Sequence, residues 1–212
     1  MTTLGHPANS GCAVDINPAA MVHLHAARQP QAPVVRYPGG DLTYRQLDDQ
    51  AARLAAALVD NGIEPGTRVA YLGLNSPAFL VTLLASFHIG AIFVPVNFRI
   101  TGAEFEVVLQ RSAAGTIVCE GGHRSVVDNL RDRVAITTFL LVDDDPAAPL
   151  TDTAIEGLDR WSTVLAAATP TARIVTARFD DPAMLMFTSG TTGGALTPVR
   201  GHRWWITRRT PA

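Results

Sequence analysis

The sequence reads Met184-Leu185-Met186-Phe187-Thr188-Ser189-Gly190-Thr191-Thr192-Gly193-Gly194 where a short apolar run meets a cluster of glycine, serine and threonine. The apolar residues predict a short buried strand, Met184 to Phe187. After it, the glycines let the backbone approach a ligand closely, while the hydroxyls and successive amides offer donors to phosphate oxygens. A flexible turn has the same composition, so composition alone leaves both interpretations open.

Upstream of this stretch, segments with helical periodicity alternate with strand-like segments. Helices are predicted at residues 21–28, 44–58, 77–89, 101–111, 126–131 and 161–167, and strands at residues 34–37 with 42, 68–74, 91–94, 115–119, 136–142 and 184–187. This alternation implies parallel pairing with right-handed crossovers. The predicted fold class is therefore α/β, a parallel or mixed sheet flanked by helices.

Three of these helices begin with a capping signal. Thr43 followed by Gln46, and Thr101 followed by Glu104, are capping boxes, in which side chain and backbone satisfy each other reciprocally. Ser76 precedes a proline at the first helical position, which favours it as an N-cap. These local signals predict where the helices start without reference to the rest of the fold.

The composition excludes several kinds of chemistry. All 17 basic residues are arginines, so a lysine Schiff base, a lysine nucleophile and the lysine of a Walker-type loop are excluded. With 47% hydrophobic and 17% charged residues the chain is of the globular class, and its net charge of -2 gives no reason to expect a nucleic-acid partner. The cysteines, Cys12 and Cys119, imply no disulfide framework and favour a reducing, cytoplasmic compartment.

One uncharged stretch is a candidate for a membrane-spanning helix. Residues 79–98 carry no charged side chain, and their length alone would permit a membrane span. Their interior contains His88, Gly90 and Pro95, which favour a buried helix followed by a buried strand. Residues 1–11 lack the basic region and apolar run of a signal peptide. We therefore expect no membrane span.

The order of residues in the glycine-rich stretch indicates a family. Phe187-Thr188-Ser189-Gly190-Thr191-Thr192-Gly193 resembles the phosphate loop of the AMP-forming adenylating enzymes, which include acyl-CoA synthetases, luciferases and peptide-synthetase adenylation domains. Leu42-Thr43-Tyr44, Leu74-Asn75-Ser76-Pro77 and Gly90-Ala91-Ile92-Phe93-Val94-Pro95-Val96-Asn97 resemble the family's N-terminal landmarks, in the same order. The continuation into Phe98-Arg99-Ile100-Thr101 is similar to the acyl-CoA synthetase, or fatty-acid-CoA ligase, branch. The resemblance implies the N-terminal part of the adenylating-enzyme large domain.

This resemblance also implies a two-step ligase. ATP and a carboxylic acid, here a fatty acid, give an acyl-adenylate and pyrophosphate with the help of Mg²⁺, and coenzyme A then takes the acyl group as a thioester. In the family the loop holds the phosphates of ATP. The implied phosphate contacts are Thr188, Ser189, Gly190, Thr191, Thr192 and Gly193. Such contacts suit a reaction that depends on positioning and on neutralising phosphate charge.

The chain departs from the family pattern directly after the loop. The family continues with a proline and a lysine, whereas this chain reads Gly194-Ala195-Leu196-Thr197. The family's adenine and Mg²⁺ motif, ribose-binding aspartate, hinge and C-terminal lysine are not among the 212 residues. We accordingly divide the chain into a tail (1–14), a partial N-terminal domain (15–193) and a divergent basic tail (194–212). The expectation is a truncated, inactive ligase fragment without a catalytic residue of its own.

The basic tail has two interpretations. Residues 200–212 contain four arginines and no acid. A changed reading frame or a deletion would produce such a segment, and so would a nucleic-acid or phosphate patch formed with Trp204 and Trp205. The first interpretation is favoured because so short a basic span is weak evidence for a binding site.

Other residues are weaker candidates for chemistry. His23 and His25 lack a metal-ligand spacing, and His88 is expected to be a core or capping histidine. Asp143 to Asp145 are expected to form a solvated loop rather than a metal site. Cys119 on a strand is expected to be a small buried hydrophobe. No metal-binding residue is predicted.

Two further hypotheses belong to other classes of protein. The same piece of fold could serve as a non-catalytic binding or interaction module that pairs with a full-length relative. It could also be a remnant whose sheet exposes apolar surface and unpaired edges, which predicts self-association.

Overall fold

The computed structural model describes residues 17–147, 150, 158–178, 181–187 and 199–201. The helices are α1 (Pro18–Arg28), α2 (Tyr44–Asp60), α3 (Pro77–Ile89), α4 (Gly102–Ser112), α5 (Arg124–Asp128) and α6 (Trp161–Ala167). The strands are β1 (Pro33–Val35), β2 (Leu42–Thr43), β3 (Arg68–Leu72), β4 (Ile92–Val96), β5 (Ala114–Glu120), β6 (Thr138–Val142), β7 (Asp159–Arg160), β8 (Pro182–Leu185) and β9 (Val199–Gly201). Single 3₁₀ turns occupy Gly121–His123 and Arg131–Arg133.

The main sheet has seven strands in the order β7-β6-β5-β3-β4-β8-β9. All neighbouring strands pair in parallel except β9, which runs antiparallel to β8 with Leu185 opposite Val199. β1 and β2 form a separate antiparallel hairpin, as the sequence predicts. The fold is therefore α/β with a mixed sheet flanked by helices, which confirms the predicted class.

Helices cover both faces of the sheet, so the strands are buried on both sides. Val69 and Tyr71 of β3 face the core beneath α1, α2, α3 and α6. Ala70 and Leu72 face the opposite core, beneath α4 and α5. Strands buried on both faces read as continuous apolar runs, as β3 and β6 do in this sequence.

Helix α3 is buried on almost all sides. Its two interior hydroxyl groups form hydrogen bonds within the helix. Thr82 donates to the Ala78 carbonyl at 2.7 Å, and Ser86 donates to the Thr82 carbonyl at 2.8 Å. Gly90 ends the helix in the left-handed conformation, with φ of 72°. Among the described residues, no helix has the length and apolar content needed to cross a membrane.

The capping predictions are confirmed at two helices and modified at the third. Thr43 and Gln46 form a complete capping box on α2, and Thr101 and Glu104 form one on α4. Ser76 is the N-cap of α3 by position, but its side chain makes no capping hydrogen bond. Its hydroxyl instead contacts the Tyr71 hydroxyl at 2.8 Å, because the tertiary structure places that group beside it.

Several boundaries differ from those predicted. Helix α1 begins three residues early, at Pro18, because Asn17 caps it by accepting from the Ala19 amide. Residues 126–131 were expected to be one helix; instead α5 ends at Asp128 and a 3₁₀ turn begins at Arg131. The short strands β7 and β9 were not predicted, since two or three residues carry no periodicity and their strand character comes from pairing.

Candidate functional site

The predicted phosphate loop begins at the carboxyl end of β8. Met186 and Phe187 are the last described residues before it, and the chain is described again from Val199, which pairs back with Leu185. The six predicted contact residues, Thr188, Ser189, Gly190, Thr191, Thr192 and Gly193, lie outside the described residues. The structure therefore defines the edge of the sheet from which the loop leaves, and the residue roles stay a prediction.

At this edge the chain reverses the direction in which it adds strands to the sheet: β4 lies on one side of β3 and β5 on the other. β3 is followed by α3, which packs on one face, while β4 is followed by α4, which packs on the other. From β4 the chain crosses back over β3 to form β5. In open α/β sheets, ligands bind in the crevice that such a switch opens at the carboxyl ends of the strands. By this rule the crevice is expected between residues 73–76, which follow β3, and residues 97–99, which follow β4.

A buried carboxylate organises one wall of this crevice. Glu120, at the end of β5, accepts hydrogen bonds from the Tyr71 hydroxyl at 2.6 Å and from the Leu74 amide at 2.8 Å. Burial and the bond to Glu120 raise the pKa of Tyr71 well above its usual value. The carboxylate thus ties the loop after β3 to β5, and the phenol remains protonated as its donor.

Gly73 is required beside this carboxylate. A Cβ atom built at residue 73 would lie 2.5 Å from the Cδ atom of Glu120. Any side chain there would displace the carboxylate from the Leu74 amide. Sequence reasoning did not identify Glu120 or Tyr71 as important; the available signal was a lone acid at the end of an otherwise apolar strand.

The acidic run after β6 corrects one expectation. Asp143 to Asp145 were predicted to be a solvated loop, and this is wrong for two of the three: Asp145 is only 7% exposed and the Asp143 side chain is largely covered, whereas Asp144 is exposed. Asp143 accepts from the Ser162 amide at 2.9 Å and from its hydroxyl at 2.7 Å, and Asp145 accepts from the Tyr37 hydroxyl at 3.1 Å. Partners distant in sequence cover Asp143 and Asp145, so these two carboxylates hold the structure together.

The two ends of the sheet edge carry side chains of opposite charge. A cleft of about 170 Å³ beside β6 is lined by Asp41, Asp144 and Asp145, and it extends to Ser76 and Pro77 at the start of α3. Burial, reinforced by the charge of Asp143, raises the pKa of Asp144. Burial and the bond to Asp145 raise the pKa of Tyr37 to about 12. This end of the edge is unsuited to a phosphate group.

The opposite end, next to β8, carries a cation. Arg99 follows β4, the strand that pairs with β8, and its guanidinium lies 5.1 Å from the centre of the Phe98 ring. A cation at this position favours anions. The described side chains at the β4 end therefore fit a phosphate-bearing ligand better than those at the β6 end.

The remaining candidates are not brought together into a site. His23 contacts Asp48 on the surface of α1 and α2, and His25 contacts Gln29 and the ring of Tyr44. His88 is 2% exposed, as expected for a core histidine. Cys119 is buried, as predicted, and burial raises the pKa of its thiol to about 12. The described part of the chain contains no cluster of three metal-ligating side chains.

Similarity to known proteins agrees with this geometry. Residues 22–195 match the family described as AMP-binding enzyme. The chain belongs to that family. The match spans most of the chain and includes the glycine-rich loop, so the predicted membership of the AMP-forming adenylating superfamily is confirmed.

Individual members of the AMP-binding family are similar over the same region. The indoleacetate-CoA ligase of Aromatoleum aromaticum is 33% identical over 186 residues, covering 86% of this chain and 35% of the relative. A feruloyl-CoA synthase of an Amycolatopsis species is 38% identical over 187 residues, which cover 85% of this chain and 33% of the relative. The chain thus spans about one third of the length of these relatives.

A solved structure shows the same fold. The crystal structure of the anthranilate CoA ligase AuaEII in complex with anthranoyl-AMP superposes with a TM-score of 0.81 at 19% identity, covering 89% of this chain and 35% of that one. At this identity the similarity shows the fold alone. It confirms that the chain has the architecture of the N-terminal part of an AMP-binding enzyme.

Proposed function

We propose that this chain is the N-terminal part of an AMP-dependent acyl-CoA synthetase, and that its role in the family's reaction is to hold the phosphates of ATP. The observation that carries the proposal is the position of the predicted loop. It leaves the carboxyl end of β8, next to the switch between β3 and β4, where α/β proteins bind ligands. Thr188, Ser189, Gly190, Thr191, Thr192 and Gly193 would contact the phosphate oxygens.

The fit of the nucleotide rests on the described surroundings of the loop. Arg99 supplies a positive charge after β4, the strand next to β8, while the buried acids Glu120 and Asp145 follow β5 and β6, on the other side of β3. When bound, ATP with Mg²⁺ supplies the adenylyl group that activates a carboxylic acid, and coenzyme A accepts the acyl group. The side chains of this protein bind and orient the phosphates.

The proposed substrate class is a carboxylic acid with an apolar body. Relatives named as indoleacetate, feruloyl and long-chain fatty acid ligases support acid activation in general. A cytoplasmic location follows from the same proposal, because ATP and coenzyme A are available there, and it agrees with a buried free thiol at Cys119.

The 212-residue polypeptide is proposed to be inactive in the complete reaction. The family uses a lysine after the loop and a second lysine that promotes adenylation, and this sequence contains none. We expect no pyrophosphate release above background with Mg²⁺-ATP and a panel of aryl and fatty acids, under conditions in which an indoleacetate-CoA ligase turns over. Release that depends on both ATP and the acid would overturn the proposed inactivity.

Exposed apolar side chains on the same sheet edge support self-association. Leu74, Phe98 and Met186 follow three adjacent strands and are 49%, 39% and 39% exposed. We expect the protein to self-associate through this row. Light scattering should show a shift toward monomer when all three are changed to serine, and little shift for the matched pair Val59→Ser and Val107→Ser on exposed helix positions. A monodisperse monomer of the unaltered protein at high concentration would contradict this prediction.

A further inference from the structure

A cavity of about 470 Å³ lies where helices α2 and α3 end, at the edge of the sheet opposite to the predicted phosphate loop. Three segments enclose it: the end of α2 with the turn that follows, the end of α3, and residues 171–175, which we call the strap. None of these segments takes part in the proposed phosphate site. The cavity is therefore a candidate for a second ligand.

The strap forms one side of the cavity and crosses from α2 to α3. Its Thr171 amide donates to the Ala52 carbonyl of α2 at 3.2 Å, and its Val175 amide donates to the His88 carbonyl of α3 at 2.8 Å. Both contacts are backbone hydrogen bonds, so they fix the course of the strap over the groove between the two helices.

The end of α2 and the turn after it form the other side. The two sides meet at Gly90, where a Cβ atom would lie 3.1 Å from Val175 Cγ2 and 3.4 Å from Pro65 Cβ. They diverge toward α2, because the strap contacts that helix at Ala52 and the helix extends from there to Asp60, about 12 Å at a rise of about 1.5 Å per residue. The cavity is therefore narrow at α3 and wide at α2.

The lining combines apolar side chains with charges of both signs. Asp60 and Glu64 belong to the side formed by α2 and its turn, whereas Arg173 belongs to the strap. The apolar lining residues are Ala56, Val59, Ile63, Pro65, Ile89 and Val175. The cavity thus presents negative charge on one side, positive charge on the other, and apolar surface as part of the same lining.

The charged side chains of the two sides do not pair with each other. All three are exposed, and none of the ion pairs among the described residues includes Arg173, Asp60 or Glu64. The guanidinium therefore lies beyond ion-pair distance, about 4 Å, from both carboxylates. This separation leaves room for a ligand that carries both charges.

We propose that this cavity binds a small zwitterion of the ω-amino acid class, in which an apolar chain separates the ammonium group from the carboxylate. The ammonium group pairs with Asp60 and Glu64, where the carboxyl end of α2 also favours a cation. The carboxylate pairs with Arg173, whose guanidinium can bind it through two N–H groups. The chain between them covers the apolar lining.

Other small molecules match only part of this cavity. A fatty acid lacks the group for the acidic side, and an alkylamine lacks the group for Arg173. An α-amino acid carries both charges on one carbon atom, so it cannot reach both sides at once. The separation of unlike charges along one lining is the observation that favours the ω-amino acid.

An NMR titration of the unaltered chain with ε-aminocaproate tests the proposal. We expect saturable shifts of the amide signals of Ile63, Glu64, Ile89 and Arg173, with a dissociation constant of about 1 mM for so small a ligand. Norleucine, an isomer with both charges at one end, should bind about fivefold more weakly, and so should hexanoate and hexylamine. The absence of saturable shifts, or equal affinity for any of these three controls, would overturn the proposal.

Matched variants test the two charged sides separately. R173Q and E64Q each remove one charge from the lining, so each should weaken binding of ε-aminocaproate about three- to fivefold. Arg178 and Asp159 are also exposed but do not line the cavity, so R178Q and D159N should leave the affinity unchanged. Losses in R178Q and D159N equal to those in R173Q and E64Q would show a general effect of net charge and contradict the assigned site.

Discussion

Replacing Phe93 by alanine should lower the free energy of unfolding by about 3–5 kcal/mol. Phe93 is fully buried on β4, and its ring packs edge-on against Phe79 with the ring centres 5.1 Å apart. The Tyr71 ring centre lies 6.4 Å from that of Phe93 and 5.3 Å from that of Phe79, so the three rings form one cluster. The change removes one of the three rings of this cluster beneath α3, and a close-packed core cannot collapse to fill the space.

Urea unfolding followed by circular dichroism measures this loss, and Phe98 provides the control. Phe98 is two residues beyond the end of the same strand and is 39% exposed. Its replacement by alanine loses only partial burial and the contact with Arg99, so the expected change is below about 1 kcal/mol. Similar losses for F93A and F98A would mean that β4 is not buried as described.

Replacing Glu120 by alanine should have the second largest effect, about 2–3 kcal/mol. The change removes the acceptor for the Tyr71 hydroxyl and the Leu74 amide. Tyr71 keeps its contact with Ser76, but the amide is left without its partner at a partly buried position. The loop after β3 would then be released from β5, so the crevice at the sheet edge should also become more mobile.

The conservative variant E120Q distinguishes the loss of the carboxylate from the loss of the volume that the side chain fills. E120Q keeps the shape but presents an amide, which can accept only one of the two hydrogen bonds, so we expect an intermediate loss. Glu106 pairs with Arg133 on the surface, and E106Q should cost less than about 1 kcal/mol. Thermal unfolding measures the stability of the three variants E120A, E120Q and E106Q. If E120A were no less stable than E106Q, the buried carboxylate would not anchor the loop.

Local signals in the sequence predicted the starts of α2 and α4 because those contacts lie within one turn. Thr43 with Gln46 and Thr101 with Glu104 need only their own backbone, and both capping boxes are present. The alternation of elements was enough for the α/β class, since parallel strands buried on both faces require helices between them. The family followed from the residue order around the glycine-rich loop.

Interactions between segments distant in sequence could not be predicted in the same way. The bond between Tyr71 and Glu120 joins residues 49 positions apart, and that between Tyr37 and Asp145 joins residues 108 apart. Both depend on strand order, which periodicity does not specify. The same reason explains the error at Asp143 and Asp145, which look like part of a solvated loop until Ser162 and Tyr37 are placed against them.

Amide NMR during an ATP titration tests most directly whether this chain carries a phosphate-binding loop. We predict that ATP shifts the backbone amide signals of residues 188–193, with weak affinity because the family's adenine and ribose motifs are not among the 212 residues. Adenosine, which lacks phosphates, should shift them little, and inorganic tripolyphosphate should reproduce the effect of ATP. Unchanged signals with ATP, or equal shifts with adenosine, would contradict the assignment of Thr188 to Gly193 as the phosphate contacts.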